Sequence, residues 1–515
     1  GAGMSGICMG YELLKQGHTN FVIYEKATRV GGTWSYNRYP GCGCDIPAPL
    51  YSFSFASWPE WDRLWAKQAQ IQQYNEWVVR KFGLEQYIKL NTHVESCVWD
   101  ERANEWHIRC VEGGKESLER EHKIETRARY LINAMGPLRV PRYPNLPGIQ
   151  QEGNTVFEGE SIHSTCWPKD KAHSLKGKRV GVIGTGASAV QLIPEVAKEA
   201  KHLVVFQRTP PYIFPKEADT EFGAFSKWLR RLLVVGNAVM YAQRLLLYWA
   251  FEVRLRNFYP GSGNTNARAE ILEKMREELG KDAPKDLIKK LTPTYPIGCK
   301  RVLIYSGYFS VFLKPNVTLC VQPIKEITAS GIRVLGREHK GADDGEGSEG
   351  SKETDHKLDA IIYATGFQVM STKGLHIAGA KGYTLEKYVN ENMRSLHGVM
   401  AEEFPNMFFL LGPNTGLGHN TVVWMVECQT AYIYDLLSQL SANGLTRVTP
   451  KAARVSEFME YVDVEHSKKV WSECSSWYRH PTTGNVFALW PSSTVWYWWK
   501  TLRARLSDYD VSSDS

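Results

Sequence analysis

The sequence predicts an α/β protein made of two Rossmann-like dinucleotide-binding units with a helical insert, and three observations carry that prediction. A glycine-rich turn opening a helix occurs twice, as GAGMSG from Gly1 and GTGASA from Gly184. Each is followed by a short apolar strand, FVIYE at Phe21–Glu25 and LVVF at Leu203–Phe206, in the βαβ alternation of a doubly wound sheet. From about Pro215 to Lys290 the apolar spacing becomes helical, with many Arg, Lys and Glu.

The elements follow in order. Gly1–Gln16 reads as a turn running into a helix, Phe21–Glu25 as a strand, and YLINA at Tyr130–Ala134 as a second buried strand. A Rossmann sheet needs a central strand leading into its first glycine turn, and the sequence begins at that turn. The expectation is therefore either a fragment or a compromised first dinucleotide site. The second unit has its leading strand, RVGVI at Arg179–Ile183, then a helix over Ala189–Ala200. Gly341–His356 is polar and glycine-rich and reads as a solvated loop. The domain plan is thus a first dinucleotide domain over 1–145, a connector over 146–177, a second dinucleotide domain over 178–214 and 298–362, a helical insert over 215–297, and the rest of the first domain over 363–515.

Composition bounds the function. The 515 residues are 43% hydrophobic and 23% charged, as in ordinary globular chains of two or three domains. A net charge of +7 from scattered basic residues gives no reason to expect a nucleic-acid partner, and no stable protein partner is expected either. None of the ten cysteines forms a paired CxxC framework, so no metal is expected, and the thiols read as reduced in a cytoplasmic protein. One long apolar run, Leu232–Val253, is interrupted by Asn237, Gln243 and Arg244. It reads as a buried helix or helical hairpin, with peripheral membrane contact as the lesser reading.

Register separates the two glycine turns. In both, Gly1, Gly3 and Gly6 or Gly184 and Gly186 with Ser188, the backbone can approach a pyrophosphate at a helix N-terminus. Twenty-four positions on from Gly1 stands Glu25, a carboxylate suited to ribose hydroxyls. The same step from Gly184 reaches Arg208, which would attract a 2'-phosphate that an acid would repel. The first site should take a dinucleotide with a free ribose and the second NADPH. The plain alternative for Arg208 is a surface charge.

Between the two units lies FEGESIHSTCWP, with Phe157, Gly159, His163, Trp167 and Pro168 in an FxGxxxHxxxWP pattern. A second pattern, GGTWSYNRYPGCGCD, supplies Gly31, Gly32, Thr33, Trp34, Tyr39, Pro40, Gly41 and Asp45. With the two dinucleotide fingerprints, these resemble the flavin-dependent Baeyer–Villiger monooxygenases, within the class B flavoprotein monooxygenases. Related N- and S-oxidising flavoproteins typically lack the WP ending and are the alternative. The resemblance implies FAD in the first site and NADPH in the second, a ketone and O2 as substrates, and an ester or lactone formed through a C4a-peroxyflavin. Arg301 in GCKRVLIYSGYF resembles the family's active-site arginine, and Asp45 its carboxylate partner. Thr185, Thr209 and Lys300 match further contacts to NADPH. A bulky ketone of secondary metabolism is the expected substrate, and the His163 strip is expected to couple cofactor binding to domain position.

Other readings are weaker. Cys42 and Cys44 could suggest a flavin disulfide reductase, but CxC strains a disulfide ring. His419 reads as a structural histidine, and LWPSSTVWYWW at Leu489–Trp499 as pocket lining or core. A degenerate cofactor-binding protein would be motivated by the absent leading strand, yet it would have no reason to keep Asp45 and Arg301.

Overall fold

A computed structural model describes residues 1–113, 122–150, 153–168, 174–216, 221–336, 353–391 and 393–513. The second dinucleotide unit is a five-stranded parallel sheet in the order Val317–Cys320, His202–Phe206, Arg179–Ile183, Ala360–Tyr363, Glu160–His163. Its inner strands read as unbroken apolar runs because both faces are covered. Val182, Leu203, Val205 and Ile362 pack with the helix Ala187–Glu199 on one face, and Phe206, Ile332 and Tyr363 with Phe157 on the other.

The edge of this sheet corrects one expectation. Residues 146–177 do not form a simple connector, because Glu160–His163 is the fifth strand, paired in parallel with Ala360–Tyr363 so that His163 stands opposite Tyr363. Only four residues long, with Gly159 before it, the strand has too little alternation to show in the sequence. Most of the expected loop at 341–356 lies outside the described residues, but Thr354–Lys357 is a strand against Gly331–Val334.

The first unit is assembled from both ends of the chain. Ile23–Tyr24 pairs with Ile88–Lys89, and Leu131–Asn133 with Met407–Phe409, both in parallel. Gly1 lies between these pairs, where a Cβ would meet the Ala134 carbonyl at 2.8 Å and the Glu25 carboxylate at 3.7 Å. The helix Met4–Lys15 packs on Val422–Ala442, with Cys8 Sγ 3.5 Å from Thr430 Oγ1.

Residues 224–291 carry the helices Ala224–Arg231, Leu233–Glu252, Ser262–Leu279 and Lys285–Leu291. Where the chain enters and leaves them, Ile213–Phe214 pairs in parallel with Leu303–Ile304. The run expected to be buried is buried on one side only: Met240 and Tyr248 face inward, while Val234 and Leu246 are exposed. Among the described residues no single helix is long and apolar enough to cross a membrane. The aromatic stretch divides likewise, with Trp490 and Tyr497 buried and Trp498 and Trp499 exposed.

The cysteines carry a second correction. Cys299 and Cys474 are joined as a disulfide with Cα atoms 5.6 Å apart, so eight rather than ten thiols are free. The pair is separated by 175 residues, a proximity that no local spacing announces.

Candidate active site

The first glycine turn leads into Met4–Lys15, whose N-cap Gly3 brings no side chain to the helix end. Its first backbone N–H groups therefore lack intrahelical acceptors. Gly32 lies against this turn with φ +55°, and a Cβ on it would stand 2.9 Å from Gly3 Cα. Only two glycines allow the chains to come this close and leave backbone amides facing a phosphate. Gly6 is equally constrained, since its Cβ would meet the Gly1 carbonyl at 2.0 Å. Glu25 is buried at the strand end, where its carboxylate accepts from Ala2 N at 2.8 Å and Ala27 N at 2.9 Å. Thr33 and Trp34 begin the turn Thr33–Tyr36, with Trp34 Nε1 donating to Tyr51 Oη at 3.1 Å. The donors, the glycine cradle and the ribose acid fit an FAD pyrophosphate and ribose.

The second turn repeats the design. Gly184 has φ +109°, and a Cβ there would meet the Ala364 carbonyl at 2.6 Å. Gly186 caps Ala187–Glu199 without a side-chain bond and borders open space. Thr185 Oγ1 donates to the Thr209 carbonyl at 3.0 Å, tying the glycine turn to the loop that carries Arg208. Arg208 is exposed beyond the end of its strand. Lys300, from the far side of the insert, is half-buried with Nζ 5.0 Å from the Tyr295 ring centroid. Burial, and then the neighbouring Arg208 charge, lower the Lys300 ammonium below its ordinary pKa. Two cations brought together at a dinucleotide turn fit a 2'-phosphate, whose charge would relieve their repulsion. Ser188 lies at the start of the helix beside the Tyr39 hydroxyl.

Asp45 and Arg301, 256 residues apart, meet in a two-pronged ion pair: Nε to Oδ2 at 3.0 Å and Nη2 to Oδ1 at 2.7 Å. The adjacent Asp45 carboxylate, outweighing burial, raises the pKa of Arg301 above the ordinary arginine value, so the cation is permanent. Its third nitrogen, Nη1, reaches the Leu417 carbonyl at 3.4 Å. Buried Tyr478 and part-buried Tyr51 are close enough to feel this charge. A fixed guanidinium beside aromatic side chains can hold an anion that develops on an otherwise apolar molecule.

The thiols of Cys42 and Cys44 are each pushed up to about 12 by burial. They are protonated and unpaired to each other, which removes the disulfide-reductase reading.

His163 lies on the sheet edge, 2% exposed. Its Nδ1 accepts from Thr165 N at 3.2 Å and stands 2.8 Å from Thr165 Oγ1. Burial lowers its pKa to about 4, with the carbonyls of Arg142 and Gly366 offsetting part of the effect, so it is neutral. Phe157 is buried in the sheet core, and a Cβ on Gly159 would collide with its ring at 2.4 Å. Trp167 packs on the core of the second unit and Pro168 is half-buried.

Two residues escaped the sequence reading. Gln191, on Ala187–Glu199, accepts from Tyr39 Oη at 2.9 Å and Gly43 N at 3.2 Å, and donates to the Gly43 carbonyl at 2.9 Å. It fastens the loop that carries Asp45 to the second unit. Glu252 ends Leu233–Glu252 and receives Asn420 Nδ2 and Thr494 N, both at 2.7 Å, with His419 Nε2 at 3.5 Å. His419 is therefore partnered rather than isolated. Both contacts join segments more than a hundred residues apart, and no motif carries them.

The fold and site together define a flavoprotein monooxygenase with two dinucleotide sites. A profile described as an NAD(P)-binding Rossmann-like domain matches residues 1–67, and one for L-lysine 6-monooxygenase/L-ornithine 5-monooxygenase matches 50–223. The chain is 36% identical to a Baeyer-Villiger monooxygenase of Pseudomonas aeruginosa, covering 100% of this chain and 90% of that protein. It is 34% identical to another from Streptomyces coelicolor, over 99% and 91%. A closed crystal structure of cyclohexanone monooxygenase superposes with a TM-score of 0.81 at 26% identity, covering 100% and 98%. An oxidized steroid monooxygenase bound to NADP gives 0.81 at 27% identity over the same shares, and an OTEMO complex with FAD and NADP gives 0.80 at 25%, over 99% and 98%. The chain belongs to the Baeyer–Villiger monooxygenase family.

Proposed function

We propose that this enzyme inserts one oxygen atom of O2 beside the carbonyl of a bulky, lipophilic ketone, giving an ester or lactone. FAD, once bound and reduced by NADPH, supplies the activation of oxygen. The remaining work falls to the chain's own residues. Gly1, Gly3, Gly6, Gly32, Thr33, Trp34 and Glu25 hold FAD. Gly184, Thr185, Gly186 and Ser188 receive the NADPH pyrophosphate, and Arg208, Thr209 and Lys300 its 2'-phosphate. Arg301 stabilises negative charge at the reacting carbonyl, and Asp45 orients Arg301.

The observation that carries this reading is the two-pronged Arg301–Asp45 pair. Tyr51 and Tyr478 beside it support an apolar substrate. Eight free thiols, of which all but Cys166 are buried, support a cytoplasmic setting. The test is direct. Purified protein should be yellow, bleach faster with NADPH than with NADH, and in air convert ketones to esters in a product screen. Oxidation of an amine or sulfide with ketones untouched would overturn the reading.

A further inference from the structure

The helix Leu233–Glu252 is built inside out. Its two charged residues, Arg244 and Glu252, are both buried. Arg244 Nη1 donates to the carbonyls of Pro49, Leu50 and Ser52 at 2.9, 3.3 and 2.5 Å. Glu252 is held by Asn420, Thr494 and His419. The outward side instead presents Val234, Val235, Val239, Leu246 and Trp249, with Val234 82% and Leu246 74% exposed. A helix facing water has the reverse arrangement.

Two neighbours extend this apolar side. The helix Ala224–Arg231 exposes Phe225 and Trp228. Across the junction where Tyr248 Oη meets Thr494 Oγ1 at 2.7 Å, the helix Thr494–Lys500 and the residues after it expose Val495, Trp498, Trp499 and Leu502. Val495, Trp498 and Trp499 follow the i, i+3, i+4 spacing of one helical face, and Leu502 lies just past the helix end. Exposed apolar side chains gathered on neighbouring helices in this way mark an interaction surface.

Charge selects the partner. Residues 224–258 contain Lys227, Arg230, Arg231, Arg244, Arg254 and Arg256, of which Arg230 and Arg244 are buried, against one acid, the buried Glu252. Residues 494–505 contain Lys500, Arg503 and Arg505 and no acid. Lys227 and Arg231 already pair with Asp62 and Glu60, but the exposed Arg256 and Arg503 border the patch without a carboxylate from either segment. Two copies meeting through this face would bring like charges together, whereas anionic headgroups would meet them with opposite charge. Exposed tryptophans and basic residues around an apolar face suit the interfacial zone of a bilayer.

We propose that the face formed by Ala224–Arg231, Leu233–Glu252 and Thr494–Lys500 docks on the surface of a membrane containing anionic phospholipid. The docking is monotopic. The hydrogen bonds of Arg244 and Glu252 pin the inner side of the long helix to the protein, and the axes on either side of Leu232 differ by 110°.

The test is sedimentation of the full chain with vesicles of phosphatidylcholine alone or with phosphatidylserine added, beside the double variant Leu246→Ser/Trp249→Ser and the single variant Trp498→Ser. Sedimentation with the phosphatidylserine vesicles, reduced at least ~10-fold in the variants and by high salt, is expected. Equal binding to both vesicle types would overturn the anionic requirement. Failure to sediment with either would overturn the proposal, whether the chain is a monomer or a dimer that the variants dissociate. Thermal unfolding at the parent temperature establishes that the variants are folded; if one is not, Phe225→Ser, at a position 73% exposed, takes its place.

Discussion

The side-chain amide of Gln191 closes a two-way hydrogen bond on the backbone of Gly43, giving 2.9 Å to its carbonyl and 3.2 Å from its N–H. Because Asp45 stands two residues further on, the position of the Arg301 pair is tied to the helix that begins at the second glycine turn. Gln191→Ala should cost about 1–3 kcal/mol of stability by leaving buried polar groups unpaired. It should also raise the NADPH consumed per molecule of ester. Urea unfolding and product stoichiometry measure the two effects.

Arg301→Ala should leave flavin content unchanged and lower ester formation about 100- to 1,000-fold, the usual loss when one fixed donor to a developing anion is removed. Arg301→Lys keeps charge but loses the two-pronged geometry, so it should recover only part. Asp45→Asn should fall between parent and Arg301→Ala. Ester yield per flavin is the measurement.

Arg208→Ala and Lys300→Ala should each lower kcat/KM for NADPH about 10- to 100-fold, the worth of one charge-assisted hydrogen bond, and leave NADH nearly unchanged. Anaerobic flavin reduction with each nucleotide separates them. Equal losses with both nucleotides would mean that neither residue reads the 2'-phosphate.

His163 gives a pH signature. Its pKa is lowered from 6.5 to about 4 by burial, so between these values the unfolded chain binds the proton that the folded chain does not. Stability from this group is complete above about pH 6.5 and is lost as pH falls towards 4, by about 3 kcal/mol at most. His163→Gln should flatten the stability profile in that window. His397 and His466, both lowered to about 3, add losses of the same sign that the variant leaves in place.

The disulfide is counted chemically. After unfolding without reductant eight thiols should react, and after reduction ten. Ten in both cases would remove the Cys299–Cys474 bond.

Local chemistry was legible in the sequence, and distant pairing was not. The glycine turns, their helices and the contrasting Glu25 and Arg208 follow from short-range spacing, because turn, helix and strand end are neighbours along one βαβ unit. Asp45 and Arg301 came only through resemblance, since no spacing rule links positions 256 apart. Gln191 and Glu252 looked like ordinary helix residues, for their partners lie in loops 148 and 168 residues away. The apolar run Leu232–Val253 reads as buried because apolar composition alone does not say which side faces outward, and Arg244, which interrupts that run in the sequence, is what the protein buries.

The strand Glu160–His163 changes what its surrounding motif can be used for. A glycine that admits a phenylalanine ring, a histidine whose Nδ1 accepts from the backbone two residues on and a tryptophan laid on the core are features of how a sheet is finished. Genome surveys that gather sequences by FxGxxxHxxxWP alone therefore sample an architecture. On the role proposed for Asp45 and Arg301, adding an aspartate and an arginine in their contexts would turn such a survey into a search for oxygen-inserting chemistry, and members with the motif but without the pair would be natural controls for it.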